Sequence, residues 1–409
     1  MTQVLPPTGT TPLAKREARL AWGLLAPTLT SVALVVVLPL LAIFWISFKP
    51  IGLSDLRPAA PVVRESLRGS DENMRIEYRV RNSSQDTEVT EVTLADTIPS
   101  GLTLRALPDG CSLDGAALFC DIGTLEGGYN ERLRIPATAA DKDAMEALAE
   151  GSAPIVTGES DSILTNFEFS FVNFARIFDG DEFWGVLGVT MFYTVVGTIG
   201  ALGVGLFAAL LLDKSFKGQG ILRGLYLFPY VAPVIAVAFS WLILFDPFSG
   251  SANALLIQMG VTDDAINFFG EKPLALIMVT VFEIWRYFPL SFLFILARMQ
   301  SIDTDMYEAA DMDGASPFQQ FWYLSLPQLL GILSVLFLLR FIWTFNKFDD
   351  IFLLTGGNAG TRTLTVNVYE QAFAVSNIGA GAAVAVVIFL CLLTFSVFFF
   401  KYVSREEGL

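Results

Sequence analysis

The chain has 409 residues, 53% of them hydrophobic and only 16% charged, with a mean hydropathy of +0.56. That balance excludes an ordinary soluble domain and predicts a mostly α-helical, polytopic membrane protein. There is no histidine, which excludes His-dependent acid–base, nucleophilic and metal chemistry. The net charge of −15 is concentrated: residues 51–180 hold 22 acidic and 11 basic side chains, so the acidity belongs to one hydrophilic block and gives no footprint for nucleic acid.

Residues 1–19 read as a polar tail with Lys15, Arg16 and Arg19 just before the first apolar run. The run 20–48 is too long for a signal-peptide core and lacks a small-residue cleavage site at its end, so it is expected to stay as a first transmembrane helix, bent at Pro27 and Pro39. Residues 49–165 change character. Alternation in Arg75–Arg81, Thr87–Leu94 and Glu131–Ile135, punctuated by Gly, Pro, Asn and Asp, predicts a small β-sandwich over about 71–140. Cys111 and Cys120 lie nine apart inside it; if the block is outside the cytoplasm, a disulfide closing a hairpin is expected. Residues 139–161, rich in Ala, Asp and Glu, read as a short helix or linker, and 166–184 as an amphipathic interfacial segment.

Five further spans are expected at about 185–212, 221–245, 273–298, 321–345 and 379–402, six in all, followed by a tail at 403–409. The third carries Pro229 and Pro233 and should kink. Lys214, Lys217, Arg223, Arg298, Lys401 and Arg405 flank one side, and Asp246, Asp263, Asp264 and Glu271 the other. The Lys/Arg bias therefore places both termini inside and the β-rich insert outside. Cys391, within the last span, reads as a small lipid- or helix-facing residue.

Between spans four and five lies a polar stretch, 305–327. Asp305 with Glu308 fits a capping box, Gly314 a helix stop, and Ser316-Pro317 with Gln319 a second start. The spacing of Glu308, Ala309, Ala310, Gly314, Leu324 and Pro327 resembles the EAA loop of ATP-binding-cassette (ABC) importer permeases, with Leu324 where that family usually has Ile. The resemblance implies a type I importer core whose cytoplasmic loop docks on a separate ATPase subunit. The insert, in turn, resembles DUF11-type immunoglobulin-like repeats over about 71–140, on Asp96-x-x-Pro99-x-Gly101-Leu102 and the cysteine pair.

Charged residues within spans are expensive and mark function. Glu283 and Arg286 fall in span four, where an internal salt bridge is one reading. Arg340, Trp343, Thr344 and Lys347 recur at i, i+3, i+4 and i+7 in span five, predicting one helix face of aromatic, hydroxyl and cationic groups that suits a sugar; an interfacial belt is the other reading. The run RFIWTFNKFDDIFLLTGG is similar to sugar permeases of the maltose-permease larger-subunit type. That resemblance implies that Arg340, Trp343, Thr344 and Lys347, with Trp285, Tyr287 and Leu290 of span four, line the substrate pathway, to which Arg286 is added as a charge within the span. It also assigns Gly356, Gly357, Asn358 and Gly360 to an outer loop that meets a solute-binding protein, a plain Gly-rich turn being the alternative.

There is no phosphate-binding P-loop, and Gly218, Gly220 and Gly224 lack the spacing of a dinucleotide loop. The chain is thus expected to bind no cofactor and catalyse nothing; ATP and Mg would sit on two partner ATPase subunits. A second permease subunit, more readily a different chain than a copy, and an extracytoplasmic binding protein complete the expected partners, in a bacterial cytoplasmic membrane. A glycerol-phosphate or other polar-solute importer, and a membrane scaffold for the insert, are the competing functions.

Overall fold

The computed structural model describes residues 12–70, 74–85, 87–139, 145, 153–179 and 182–402. They divide into two compact units, one of Met1–Ser47, Phe174–Val375 and Ala380–Leu409, the other of Phe48–Asn173 and Ser376–Gly379.

The second unit is β-rich. Its strands are β1 (Pro61–Arg68), β2 (Met74–Asn82), β3 (Val89–Thr97), β4 (Leu102–Leu104), β5 (Cys111–Asp114), β6 (Ala117–Leu125), β7 (Asn130–Ala139) and β8 (Ile155–Glu159). They form two four-stranded antiparallel sheets, ordered β1-β2-β7-β4 and β5-β6-β3-β8. The period of two in β2 sends Ile76, Tyr78 and Val80 inward, while Arg75, Arg79 and Arg81 stay exposed. Those inward residues share one core with Leu94 of β3, Leu118 and Leu125 of β6 and Ile135 of β7. Cys111 and Cys120 are direct cross-strand partners on β5 and β6, joined by a disulfide.

The β-rich region is wider than the alternating pattern indicates. β1 and β8 lie outside residues 71–140, and β8 occupies part of the stretch expected to be a linker. β1 pairs with β2 and β8 with β3, so the module closes only when both flanks are included. The rest of that linker (140–144 and 146–152) and the tails 1–11 and 403–409 lie outside the described residues. At the unit's entry and exit, buried Lys49 donates to the backbone and side-chain oxygens of Asn166 at 2.5 Å, and Asn173 donates to the Lys49 carbonyl at 2.7 Å. The two ends of the insert are thereby held side by side.

One polar pair sits in the β core. The Tyr78 hydroxyl donates to the Asp96 carboxylate at 2.5 Å, with both residues buried. Burial first, and then this carboxylate, push the phenol pKa well up, so Tyr78 remains a donor. Tyr78→Phe removes the donor and leaves a buried carboxylate oxygen unmatched, a cost of about 1–3 kcal/mol. Faster hydrogen exchange confined to β2 and β3 is expected; unchanged exchange would show that the pair contributes nothing.

The first unit is helical. Its N-terminal helix runs through α1 (Pro12–Val32), a π-turn (Ala33–Val37) and α2 (Leu38–Ser47). Pro27 sits within it without ending it, and nearly its whole length is exposed, as suits a helix facing lipid. After α3 (Val172–Phe178) come α4 (Glu182–Asp213), α5 (Gln219–Val231), α6 (Val234–Leu244), α7 (Ser251–Gln258) and α8 (Leu274–Met299). Then follow α9 (Thr304–Met312), α10 (Pro317–Gln320), α11 (Leu326–Phe345), α12 (Asp349–Thr355), α13 (Leu364–Tyr369) and α14 (Ile378–Tyr402). Within the stretch expected to be an amphipathic interfacial segment (166–184), the described residues form α3 and the start of α4.

By length and composition five helices among the described residues can cross a membrane: Leu13–Ser47, Glu182–Asp213, Leu274–Met299, Pro317–Phe345 and Ile378–Tyr402. The pair α5 and α6 makes a sixth only as a broken span, bent by 92°. Proline dictates the break. Pro233 has no N–H to give the Pro229 carbonyl, and it pushes Ala232 into an extended conformation (φ −62°, ψ 143°).

The pairing of α4 with α8 organises the unit. A Cβ at Gly205 would fall 2.8 Å from the Phe292 backbone nitrogen and 2.7 Å from Ser291 Cβ, so only glycine lets the two backbones approach this closely. Leu336 and Leu329 of α11 close the same core against Ala208, Ala209 and Phe292.

Candidate functional site

Two features of the helical unit stand apart from simple packing. The first is the segment between α8 and α11. Here Asp303, not Asp305, caps α9: its carboxylate accepts from the Asp305 N–H at 3.1 Å. The expected Asp305/Glu308 box gives way because the helix starts one residue before Asp305. The C-terminus closes by two reversed bonds, Gly314 N–H to Asp311 O (3.0 Å) and Ala315 N–H to Ala310 O (2.9 Å), with Gly314 at φ +78°. That is a Schellman ending, which needs a residue free to take positive φ. Ser316 and Gln319 then form a reciprocal capping box with Pro317 in the first turn.

The Tyr307 hydroxyl bonds Ser325 at 2.8 Å, and Gln320 donates to Asp311 at 2.5 Å, fixing α9 against the start of the next helix. Glu308, Ala309, Gly314 and Pro327 are exposed; Ala310 and Leu324 are half-buried. Met312, Phe318, Trp322 and Tyr323 add large apolar surface that nothing among the described residues covers. Such surface beside a tightly capped turn is suited to a protein partner.

The second feature is a polar cluster inside the spans. Glu283 of α8 is fully buried and accepts three hydrogen bonds: from Arg340 (2.5 Å) and Thr344 (2.8 Å) of α11, and from Tyr193 of α4 (3.1 Å). Arg286, one turn on, does not pair with Glu283. Its guanidinium donates to the carbonyls of Pro229 (3.1 Å) and Ala232 (3.0 Å), the groups exposed where α5 breaks. Tyr287 presents its ring to Arg340 (4.7 Å) and Lys347 (4.4 Å). Lys347 lies 3.5 Å from Asp349 and 3.9 Å from Asp350, whose buried carboxylate oxygens have no hydrogen-bond partner.

The structure brings most of the sequence-derived residues together and separates two. Glu283, Arg286, Tyr287 and Leu290 lie on one stripe of α8 at i, i+3, i+4 and i+7, with Leu290 half-buried. Trp285 is off that stripe and packs on Trp241 of α6 (5.4 Å). The expected single face in span five does not hold throughout. Arg340 and Thr344 are 2% and 1% exposed, whereas Trp343 is 51% exposed. The helix also ends at Phe345, so Lys347 joins the cluster from the following turn, out of helical register. Tyr193 is absent from the sequence reading, because one tyrosine in a long apolar span gives no local signal.

Beyond α12, Gly356, Gly357 and Gly360 all take positive φ, and Asn358 donates to the Thr355 carbonyl at 3.1 Å, making a tight turn. Arg362 beyond it pairs with Glu182 and Glu370.

Five helices able to cross a membrane among the described residues, a sharply bent helix pair and a buried ion-paired cluster shared by three helices are the build of a multi-pass membrane protein. Residues 201–406 match the family of the binding-protein-dependent transport system inner membrane component, and the chain belongs to that family. It is 35% identical over 231 residues to the inner membrane ABC transporter permease protein YcjO of Escherichia coli K12, covering 56% of this chain and 78% of the relative. To the trehalose/maltose transport system permease protein MalF of Thermococcus litoralis it is 32% identical (56% and 77% covered). To the sn-glycerol-3-phosphate transport system permease protein UgpA of Agrobacterium fabrum it is 29% identical (57% and 80% covered). A solved bacterial ABC transporter involved in import of the acidic polysaccharide alginate shares the fold, with a TM-score of 0.55 at 19% identity over 59% of this chain and 85% of that one.

Proposed function

We propose that this chain is the membrane-spanning permease subunit of an ATP-driven importer that passes a sugar or oligosaccharide delivered by a solute-binding protein. In this reading it spans the membrane six times, counting α5–α6 as one broken span, with both termini inside. The insert lies outside as an immunoglobulin-like β-sandwich that helps hold the binding protein. The 305–327 loop couples to one of two ATPase subunits, which carry the ATP and Mg, through Glu308, Ala309, Ala310, Gly314, Leu324 and Pro327. A second, different permease chain supplies the other half of the pathway.

The observation that carries the cargo assignment is how the cluster distributes its charges. Each of its three cations is already engaged: Arg340 by Glu283, Arg286 by two carbonyls, Lys347 by Asp349 and Asp350. Beside these paired cations stand the half-buried Tyr287 ring, which faces Arg340 and Lys347, and the exposed Trp343 indole of α11. Aromatic faces beside cations that are already paired match the apolar face of a neutral sugar. Glycerol-phosphate import, suggested by the UgpA relative, would want a free cation, and the cluster offers none among the described residues.

The test is ATP-driven uptake into proteoliposomes holding the chain with its co-purified partners, using labelled trehalose, maltose and sn-glycerol-3-phosphate. Saturable uptake of a neutral sugar is expected. Tyr287→Ala should lower kcat/KM for it about tenfold, the loss of an aromatic contact worth about 1–2 kcal/mol. Uptake of the phosphate ester alone would establish the second reading, and no ATP-dependent uptake of any solute would overturn both.

A further inference from the structure

The outward face of the β1-β2-β7 sheet carries a charge arrangement that no role so far assigned to the insert uses. The register fixes which residues stand side by side. Arg64, Arg79 and Arg132 form one row across three strands, and Arg68 faces Arg75 in another. Between them Ser66, Glu77 and Arg134 form the middle row, and Arg81 stands beyond. Seven arginines and no lysine therefore occupy one sheet face, within a block that is strongly acidic overall.

Direct cross-strand placement of like charges destabilises a sheet, so the Arg64–Arg79–Arg132 row works against folding. Glu77 is the single acid on these strands' outward face, and it is saturated. Arg75, Arg132 and Arg134 surround it at 2.8, 3.8 and 3.4 Å, and their hydrogen bond and charge, the Arg75 bond foremost, hold its carboxyl below the usual range. Among the described residues Arg64, Arg68, Arg79 and Arg81 have no ion pair, and all four are exposed. A groove of about 850 Å³ runs over this face, lined by five of the arginines (Arg64, Arg68, Arg75, Arg79 and Arg132) together with the acids Glu65 and Glu77, and bounded by Ala153 and Pro154.

The chemistry of the occupant follows from what the face contains and what it lacks. Arginine offers a planar fork matched to carboxylate and phosphate oxygens, which lysine does not. The face carries no Phe, Tyr, Trp or Met, so it lacks the apolar centre of a protein–protein interface and the stacking platform that a neutral sugar or a nucleobase uses. The opposite sheet presents Glu91, Asp121 and Glu159 with threonines around a second groove, so the basic face is not a general property of the domain.

We infer that the arginine face of the insert binds a carboxylate-bearing oligosaccharide, its carboxylates bridged by arginines of neighbouring strands. Binding there is a property of the insert alone and holds whether or not the transported sugar is itself acidic.

The test uses the full chain in nanodiscs of zwitterionic lipid, titrated with a galacturonate pentamer and with maltopentaose. The acidic pentamer should bind and weaken at least about tenfold from low to physiological salt, as an exposed ionic contact does, while maltopentaose should not bind. Arg79→Glu with Arg132→Glu should abolish binding. Arg64→Gln, Arg68→Gln and Arg81→Gln together should weaken it about tenfold or more with no loss of thermal stability, because among the described residues these side chains support no ion pair. Glu91→Gln with Asp121→Asn should leave affinity unchanged. Equal binding of both pentamers, salt-independent binding, or tighter binding of a polyglutamate peptide or of anionic-lipid nanodiscs would each overturn the assignment. Sugar uptake in the proteoliposome assay is a separate readout, so the two proposals fail independently.

Discussion

Glu283→Ala should destabilise the helical unit by about 3–5 kcal/mol, the cost of breaking a buried ion pair from one side. The carboxylate is fully buried, and Arg340, 2% exposed, has no other counter-ion among the described residues. Removing it strands a guanidinium within a span, where uncompensated charge is expensive. It also strands the Thr344 and Tyr193 hydroxyls, each of which donates to Glu283. The double variant Glu283→Leu with Arg340→Met should recover most of the loss, because replacing both partners by apolar groups of similar volume removes the charge and its partner together. Thermal unfolding of the purified chain in detergent, followed through tryptophan fluorescence, reads both effects. A Glu283→Ala protein as stable as the parent would show that the pair does not hold α8 to α11. A double variant as unstable as the single would show that shape, not charge, is what the site requires.

This pair also marks where sequence reasoning stops. The spans are legible because an apolar run long enough to cross a bilayer has few alternatives, and the break in α5–α6 is legible because Pro233 removes a specific hydrogen bond. The partner of Glu283 is not. Arg286 is nearer in sequence and shares its helix face, yet the carbonyls freed at Pro229 and Ala232 engage it, leaving Glu283 to a residue 57 positions away. No local period encodes that choice. The same holds for Trp343, whose spacing to Arg340 is correct for a shared face but which lies on the exposed margin of the stripe. In the insert, alternation exposes β2, β3 and β7, whereas β1 and β8 are missed. β8 is five residues long beside an Ala- and acid-rich tract, and its strand character comes from pairing with β3. The two features that matter most for the proposals, the occupied cations and the arginine rows, are both products of register and packing.

Gly314→Asp should leave the chain folded in the membrane and remove its ATPase partner. A Cβ at Gly314 meets nothing within 4 Å, so the side chain has room and the core of the unit is not disturbed. Two local costs remain. At φ +78° a residue other than glycine is strained by about 1–2 kcal/mol, which loosens the Schellman ending that orients α9 against α10. The new carboxylate also joins Asp311 and Asp313 on an exposed turn, adding like charge to a surface proposed to lie in a partner's groove. Gly314→Asn separates the two, since asparagine tolerates positive φ and brings no charge. In a mild-detergent pull-down from native membranes, the parent chain should retain an ATPase subunit and a second permease chain. The Asp variant should lose at least about nine-tenths of the ATPase while keeping the permease partner, a shift of roughly 1.4 kcal/mol or more in the docking equilibrium. The Asn variant should fall between. Retention of the ATPase by the Asp variant would place the coupling surface elsewhere, with the uncovered Phe318, Trp322 and Tyr323 strip as the next surface to alter.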